Sequence, residues 1–360
     1  MIDDGHSFTR GICLLRLSAI GDVAHTIAVG RALQSAYPEA PLTWVVGRTE
    51  APVARLAPGI DVVEVDKRRP WAELMRLRRE WRGRRFDALL HLQVSLRASL
   101  LSLAVPAPVR VGFDRVRAKE FHGWFVNQRI APAPPPGEHV LDGLLRFPAA
   151  LGAPKTPPRW DLPLPAADRA WAENLLPPGP PAIAINVCAS AAIRDWPVPC
   201  QAAVRDHARR RGWRVVLCGG PTERERRTAA ALATPGDTNT IDLVGRTSLP
   251  QLLALLTRCA ALVSPDSGPV HLATAVGTPV VGLYAVSNIR RTGPYLDRRW
   301  CVDRRDEASR RYRGRPAAEL RWREAVAHSG AMALIEPAAV IDRLEAAIAD
   351  APAAGAADRD

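Results

Sequence analysis

Asp22 is the only carboxylate between Asp4 and Glu39, and it stands in the segment Ser18-Ala19-Ile20-Gly21-Asp22. An apolar run ends just before it, and a run of small and aliphatic residues begins just after. A carboxylate on a strand-to-helix turn can take a proton from a hydroxyl. It can equally accept hydrogen bonds from the unpaired N–H groups of the helix start, and taken alone the residue reads first as such a cap. Gly21 permits a tight turn beside it. His25 follows on nearly the same helix face and reads first as a packed histidine.

Three other stretches combine small residues with charge at the end of an apolar run. In "VSPDSGPVHLATAVGTP", from Val263, Gly268 and Pro269 suit a helix start. The N–H groups of Val270 and His271 would then form an anion site, and Asp266 and Ser267 could hold hydroxyls of a sugar or nucleotide. A well-capped helix with polar trim is the plainer alternative. In "LCGGPTERE", from Leu217, Gly219 and Gly220 permit close backbone approach. Glu223 then stands where an acidic group accepts from ribose hydroxyls, and it is also ordinary helix-start chemistry. In "NVCASAAIRDWPVP", from Asn186, Arg194 could clamp a diphosphate, although the chain has many surface arginines.

These residues need a scaffold that brings strand ends together. Strand-like runs begin at Ile12, Leu42, Asp61 and Asp87, and again at Ala182, Arg214, Thr240, Ala260 and Pro279. Amphipathic helical segments alternate with them: Asp22–Ala36, Trp71–Arg84, Val140–Leu151, Val198–Arg211, Thr222–Ala233, Pro250–Arg258 and Pro269–Val276. Such alternation predicts an α/β fold of parallel, doubly wound sheets. It restarts after a proline-rich stretch from Ala153 to Ala166. The expected organisation is two Rossmann-like domains, 1–165 and 166–336, facing across a cleft. A helix at 337–350 is of uncertain allegiance, and a loose tail follows at 351–360. All four stretches fall where such sheets hold ligands, at the carboxyl ends of strands.

The 360-residue chain carries a formal net charge of +12, and 46 of its 49 basic side chains are arginine. Compositional bias toward arginine explains the choice of base but not the excess of positive over negative. The excess suggests a polyanionic partner: nucleic acid, an anionic membrane face or a phosphorylated substrate. The segment Lys67–Arg85 holds nine basic and two acidic residues. As a helix it sets Trp71, Leu74 and Trp81 on roughly one side, either as an interfacial membrane helix or as a solvated helix packing its stripe on the domain. Six dispersed cysteines with no CxxC pair indicate small buried hydrophobes in a reducing compartment and argue against a zinc site. No signal-peptide core and no bilayer-length apolar run are visible, so a cytoplasmic location is expected. No nucleic-acid-binding signature accompanies the charge, and no G-x-G-x-x-G dinucleotide fingerprint follows a strand.

The four stretches together resemble glycosyltransferase family 9, the bacterial lipopolysaccharide heptosyltransferases. The matching pieces are "RLSAIGDVAHT", "GGPTERE", "SPDSGPVHLATAVGTPVVGLY" and "RRTGPY" from Arg290, in family order over roughly Ile12 to Tyr295. The resemblance implies a GT-B fold and an inverting, metal-independent transfer with no cofactor. It implies ADP-L-glycero-D-manno-heptose as donor and the inner core on lipid A as acceptor, with peripheral contact at the inner membrane and no nucleic acid. It implies Asp22 as general base, and Ser18 and Gly21 beside the donor phosphates and reaction centre. Glu223 becomes the ribose contact, and Asp266, Ser267, Gly268 and His271 the donor loop. Arg194 stands where the family carries a diphosphate-binding lysine. Arg97 and Lys119 fall in acceptor-facing regions. Two departures stand out: Ala285-Val286-Ser287 replaces a frequent Gly-Pro-Thr, and Ser267 replaces a frequent threonine. A sugar-nucleotide epimerase of similar architecture and a family 9 enzyme with another donor sugar are the rival readings.

Overall fold

The computed structural model describes residues 8–233, 237–296 and 298–350. The tail at 351–360 and the first residues, 1–7, lie outside the described residues. The chain divides into two compact units after Pro163.

The N-terminal unit runs β1 (Ile12–Leu15), α1 (Ile20–Ala36), β2 (Leu42–Gly47), α2 (Ala51–Ala54), β3 (Ile60–Val65), α3 (Pro70–Glu80), β4 (Ala88–His91), α4 (Leu96–Ser102), β5 (Val109–Gly112), β6 (Gln128–Arg129) and α5 (Val140–Ala150). All strand pairs are parallel, in the order β3-β2-β1-β4-β5-β6. A parallel sheet with helices on both faces buries its central strands twice over. The unbroken apolar run Ile12–Leu15 therefore becomes β1, with all four residues inaccessible to solvent. The same logic buries most of α1, which packs against α5.

The C-terminal unit repeats the plan. It runs α6 (Ala166–Leu175), β7 (Ala182–Asn186), α7 (Val198–Arg210), β8 (Arg214–Cys218), α8 (Glu223–Leu232), β9 (Thr240–Asp242), α9 (Leu249–Thr257), β10 (Ala261–Pro265), α10 (Gly268–Ala275), β11 (Val280–Tyr284), α11 (Ile289–Thr292), β12 (Val302–Asp303), α12 (Arg305–Arg313) and α13 (Pro337–Asp350). Its parallel sheet has the order β9-β8-β7-β10-β11-β12. The final helix α13 buries Val340, Leu344 and Ala347 against α7 and the β10–β11 side of this sheet.

In each sheet the order reverses once, between β1 and β4 and between β7 and β10. Neighbouring crossovers leave in opposite directions at that point, so the strand ends part and open a crevice at their carboxyl side. This switch point is where a doubly wound unit has room for a ligand.

The basic segment folds differently from its interfacial reading. Within α3, Leu74 and Leu77 are buried, and Trp81 at its end packs edge-on against Phe86 at 5.4 Å. Arg76 pairs with Glu73 and Glu80. Trp81 is thus a core residue under the Arg84 guanidinium, and of the large apolar side chains in this segment Trp71 and Met75 project to solvent. The apolar stripe closes the domain because burying it there removes more apolar area from water than an exposed tryptophan face would. Among the described residues no helix is long and apolar enough to cross a membrane.

Candidate functional site

In the N-terminal unit the switch point lies between the ends of β1 and β4. Past β1 the chain turns through Arg16–Ala19, and α1 begins at Ile20, so Asp22 is its third residue. Asp22 Oδ2 accepts the backbone N–H of Ala19 at 3.2 Å and pairs with the Arg16 guanidinium. Both contacts fall on one oxygen, leaving Oδ1 without a protein hydrogen bond among the described residues. The cap is therefore real, and it fixes the carboxylate while sparing half of its acceptor capacity. Arg16 also donates from Nε to Ser18 O at 2.8 Å and from Nη1 to Leu92 O, tying the end of β1 to the end of β4.

Gln93, just past β4, makes the same tie from the other side. Its Oε1 accepts the N–H of Leu17 at 2.7 Å and of Ser18 at 3.3 Å, and its Nε2 donates to Ser18 Oγ at 3.4 Å. Ser18 thus sits at the switch point, held by its neighbours. Gly21 is not at a tight turn: it is the second residue of α1 and is buried, so its contribution is the absence of a side chain next to Asp22. His25 is buried, with its ring 5.5 Å from that of His139. Arg97, at the start of α4, is exposed and donates to Lys67 O at 3.1 Å. Lys119 is exposed in the segment between β5 and β6. Both lie past carboxyl ends of strands in the sheet that positions Asp22.

The C-terminal unit places its residues by the same device. Asn186, the last residue of β7, donates from Nδ2 to Ser264 Oγ (3.2 Å), Ser267 Oγ (3.0 Å) and Cys188 O (2.8 Å). Ser264 and Ser267 are themselves joined at 2.9 Å. An asparagine on one side of the switch point therefore stitches the strand-to-helix turn on the other. With its hydroxyl so engaged, Ser267 stands at the N-cap of α10 without making a side-chain cap bond. The Val270 N–H is bonded back to Ser267 O at 3.3 Å, so it does not point into the crevice as the anion-site reading requires. Gly268 opens α10, and His271 is buried in its first turn.

Asp266 and Arg194 meet directly. Arg194 donates from Nη1 to Asp266 Oδ2 and from Nη2 to Ser190 Oγ, each at 2.8 Å. Asp266 is buried and Arg194 half-buried. A desolvated carboxylate thereby aims a guanidinium at the strand ends.

Glu223 stands apart from this cluster. Its side chain is 66% exposed and pairs with Arg227 one turn along α8 at 2.8 Å. The carboxylate that fills the strand-end loop is Glu225: it accepts the N–H of Gly220 at 2.6 Å and of Thr222 at 3.2 Å, completing a capping box. A Cβ on Gly220 would lie 3.1 Å from Glu225 Oε2. The close approach that Gly219-Gly220 allows is thus, in part, to this side chain. Arg224 donates from Nη2 to Ala189 O at 2.6 Å and pairs with Asp195, whose Oδ1 accepts the Ala189 N–H at 2.8 Å. Together they clamp the loop that carries Arg194. Ala285 and Val286, at one departure from the family pattern, are buried in the core, and Val286 O accepts the Val326 N–H at 2.9 Å.

Gln93, Asn186, Ser264 and Glu225 escape sequence reasoning. Their role depends on which strands adjoin, and only a polar residue closing an apolar strand run hints at it. Among the described residues there is no group of three or more His, Cys, Asp or Glu side chains arranged to hold a metal ion.

Residues 74–321 match the sequence profile of glycosyltransferase family 9 (heptosyltransferase). The chain is 35% identical over 336 residues to the lipopolysaccharide core heptosyltransferase OpsX of Haemophilus influenzae, covering 93% of this chain and 96% of that one. It is 28% identical to lipopolysaccharide heptosyltransferase 1 of Pseudomonas aeruginosa over 79% of this chain and 81% of that one. Among solved structures, the family 9 glycosyltransferase of Veillonella parvula superposes with a TM-score of 0.82 at 22% identity, covering 97% of this chain and 100% of that one. The ADP-heptose lipopolysaccharide heptosyltransferase II of Escherichia coli superposes with a TM-score of 0.73 at 21% identity, covering 94% and 98%. These two structural likenesses bear on the fold.

Proposed function

This chain belongs to glycosyltransferase family 9, and on that premise we propose that it transfers heptose from ADP-L-glycero-D-manno-heptose to the inner core of lipopolysaccharide, with inversion and without a metal. The observation that carries the reading is where the motif residues lie. Ser18 and Asp22 sit at the switch point of one sheet. Arg194, Asp266 and Ser267 sit at that of the other.

Asp22 is the general base. As an acceptor hydroxyl attacks the anomeric carbon, its proton passes to the Asp22 carboxylate, the new C–O bond forms, and the bond to the diphosphate oxygen breaks. ADP leaves as an anion and needs positive charge rather than a proton. Arg194 supplies that charge. Direct displacement of this kind requires one carboxylate near the attacking oxygen and no second one as nucleophile. Glu223, exposed and paired with Arg227 along the helix surface, is the proposed ribose contact. Asp266, Ser267, Gly268 and His271 form the donor loop, and Arg97 and Lys119 meet the anionic acceptor. Because that acceptor is rooted in a lipid, the enzyme works in peripheral contact with the cytoplasmic face of the inner membrane.

The test is a transfer assay with ADP-heptose against a series of truncated lipopolysaccharide acceptors, read by mass spectrometry. One added heptose on an inner-core acceptor is expected, with undiminished rate in chelator and an inverted anomeric linkage by NMR. No transfer to any acceptor, with epimerisation of a nucleotide sugar supplied alone, would replace this reading with the epimerase one.

A further inference from the structure

The segment between β5 and β6 is tightly held yet turns its apolar side chains outward. Three of its anchors, Asp114, Arg117 and His122, are buried. Asp114 accepts the N–H groups of Val116 and Arg117 at 2.9 and 3.1 Å, and pairs with the Arg117 side chain. Arg117 reaches Glu138 at 2.7 Å, and Glu138 binds Arg146 at 2.8 Å. His122, wholly buried, accepts the Phe113 N–H at 3.1 Å. Glu120 accepts the N–H of Leu96 at 2.7 Å. Against this base Val116 is 85% exposed, Phe121 64% and Trp124 82%, and the two rings lie 4.9 Å apart. Glu120 and Phe121 have φ of 50° and 60°, left-handed values that side chains other than glycine rarely adopt. The flanking Arg115 and Lys119 are exposed.

Exposed aromatic and aliphatic tips on a fixed loop, set among cations, match the interface of an anionic bilayer. Amphipathic rings settle at headgroup depth, and guanidinium and ammonium groups pair with lipid phosphates. We propose that this loop is the membrane-docking surface, with Val116, Phe121 and Trp124 entering the interface and Arg115 contacting anionic headgroups. This rests on the reading that the acceptor is borne by a membrane, and it assigns the contact to this loop rather than to the basic helix α3. Docking here sets the sheet that carries Asp22 against the surface where such an acceptor lies.

The test uses the full chain and acceptor-free vesicles of phosphatidylglycerol with phosphatidylethanolamine, against vesicles of phosphatidylcholine alone. Wild type is expected to sediment with the first and not the second. Combining Phe121→Ser with Trp124→Ser should lower partitioning about tenfold or more, and Arg115→Glu should lower it at low salt and matter less at high salt. The double variant should turn over a deacylated, water-soluble acceptor within about twofold of wild type and lose rate only on acceptor in vesicles, because these tips are assigned to lipid and not to the site. Equal sedimentation of the double variant and wild type overturns the proposal. So does equal loss on both acceptor forms, or concentration-dependent self-association through these residues without vesicle binding. Vesicle binding that depends on the loop in a chain inert toward every acceptor leaves the docking surface standing and removes the transferase reading.

Discussion

Arg194 and Asp266 are bonded to each other through Nη1 and Oδ2 at 2.8 Å, from loops that follow different strands on either side of the switch point. The cation proposed to meet the diphosphate is thus oriented by a buried carboxylate. Arg194→Ala should raise the ADP dissociation constant at least about tenfold and destabilise the unit by about 1–3 kcal/mol, since it strands a buried acceptor. Adding Asp266→Asn should restore part of the stability and none of the affinity. Calorimetry and thermal unfolding separate the two effects, and an unchanged ADP affinity in Arg194→Ala would remove the clamp from the mechanism.

Asp22→Asn keeps the shape of the side chain and its cap on Ala19 but cannot take a proton. It should lower kcat by about 10²–10⁴-fold, the range for general base catalysis, with ADP binding unchanged. Arg16→Met should also slow turnover by freeing the Asp22 carboxylate from its anchor. Single-turnover rates with saturating donor are the measurement, and a kcat for Asp22→Asn within a few-fold of wild type would rule out the base.

Glu223 and Glu225 should separate cleanly. Glu223→Ala removes an exposed group and should weaken nucleotide binding at constant melting temperature. Glu225→Ala breaks the capping box and the tie to Gly220, and should cost about 1–2 kcal/mol of stability. If calorimetry found ADP affinity intact in Glu223→Ala, the ribose contact would have to be sought elsewhere.

Stability should fall in mild acid. Burial, aided by the Arg129 charge, lowers the pKa of His122 from 6.5 to about 4. His91, whose ring lies 4.4 Å from it, is shifted downward too, chiefly by burial. Between those limits the unfolded chain holds a proton on His122 that the folded chain does not. Folding is therefore favoured less as pH drops from about 6.5 toward 4. The melting temperature of the N-terminal unit should decline across that window, and His122→Gln should flatten the decline. A level profile for the wild type would contradict the assignment.

Much of this fold is legible in the sequence, because parallel strands buried on both faces leave uninterrupted apolar runs. Seven strands announce themselves that way, and the edge strands β3 and β9 are legible as apolar runs broken by Asp61, Glu64 and Asp242. β5, β6 and β12 do not: they lie at or near sheet edges, are two to four residues long and include Arg110, Gln128, Arg129 and Asp303. Helix α12 is hidden for the opposite reason, as four of its nine residues are arginine. At the site, Asp22 and Asp266 are visible as charges where none is expected. Gln93 and Asn186 are not, because an amide at the end of a strand has meaning only once its neighbour strand is known. Trp81 shows the limit of helical spacing: the periodicity gives the side of the helix, and packing decides whether that side meets solvent or the core.

The two amide stitches also carry a kinetic consequence. Gln93 contacts Leu17 across 76 positions of the chain, and Asn186 contacts Ser264 across 78. Each joins the two βαβ halves of its sheet, so neither can form until a loop of that length has closed. Closure of so long a loop precedes any reward from its contacts and makes such pairings late events in folding. Both half-sites should therefore mature in the last refolding phase, after most helix and short-range strand pairing is complete. In a stopped-flow refolding experiment, recovery of ADP binding should follow the slowest phase of the far-UV signal and never precede it, which makes nucleotide capture a reporter of topological completion.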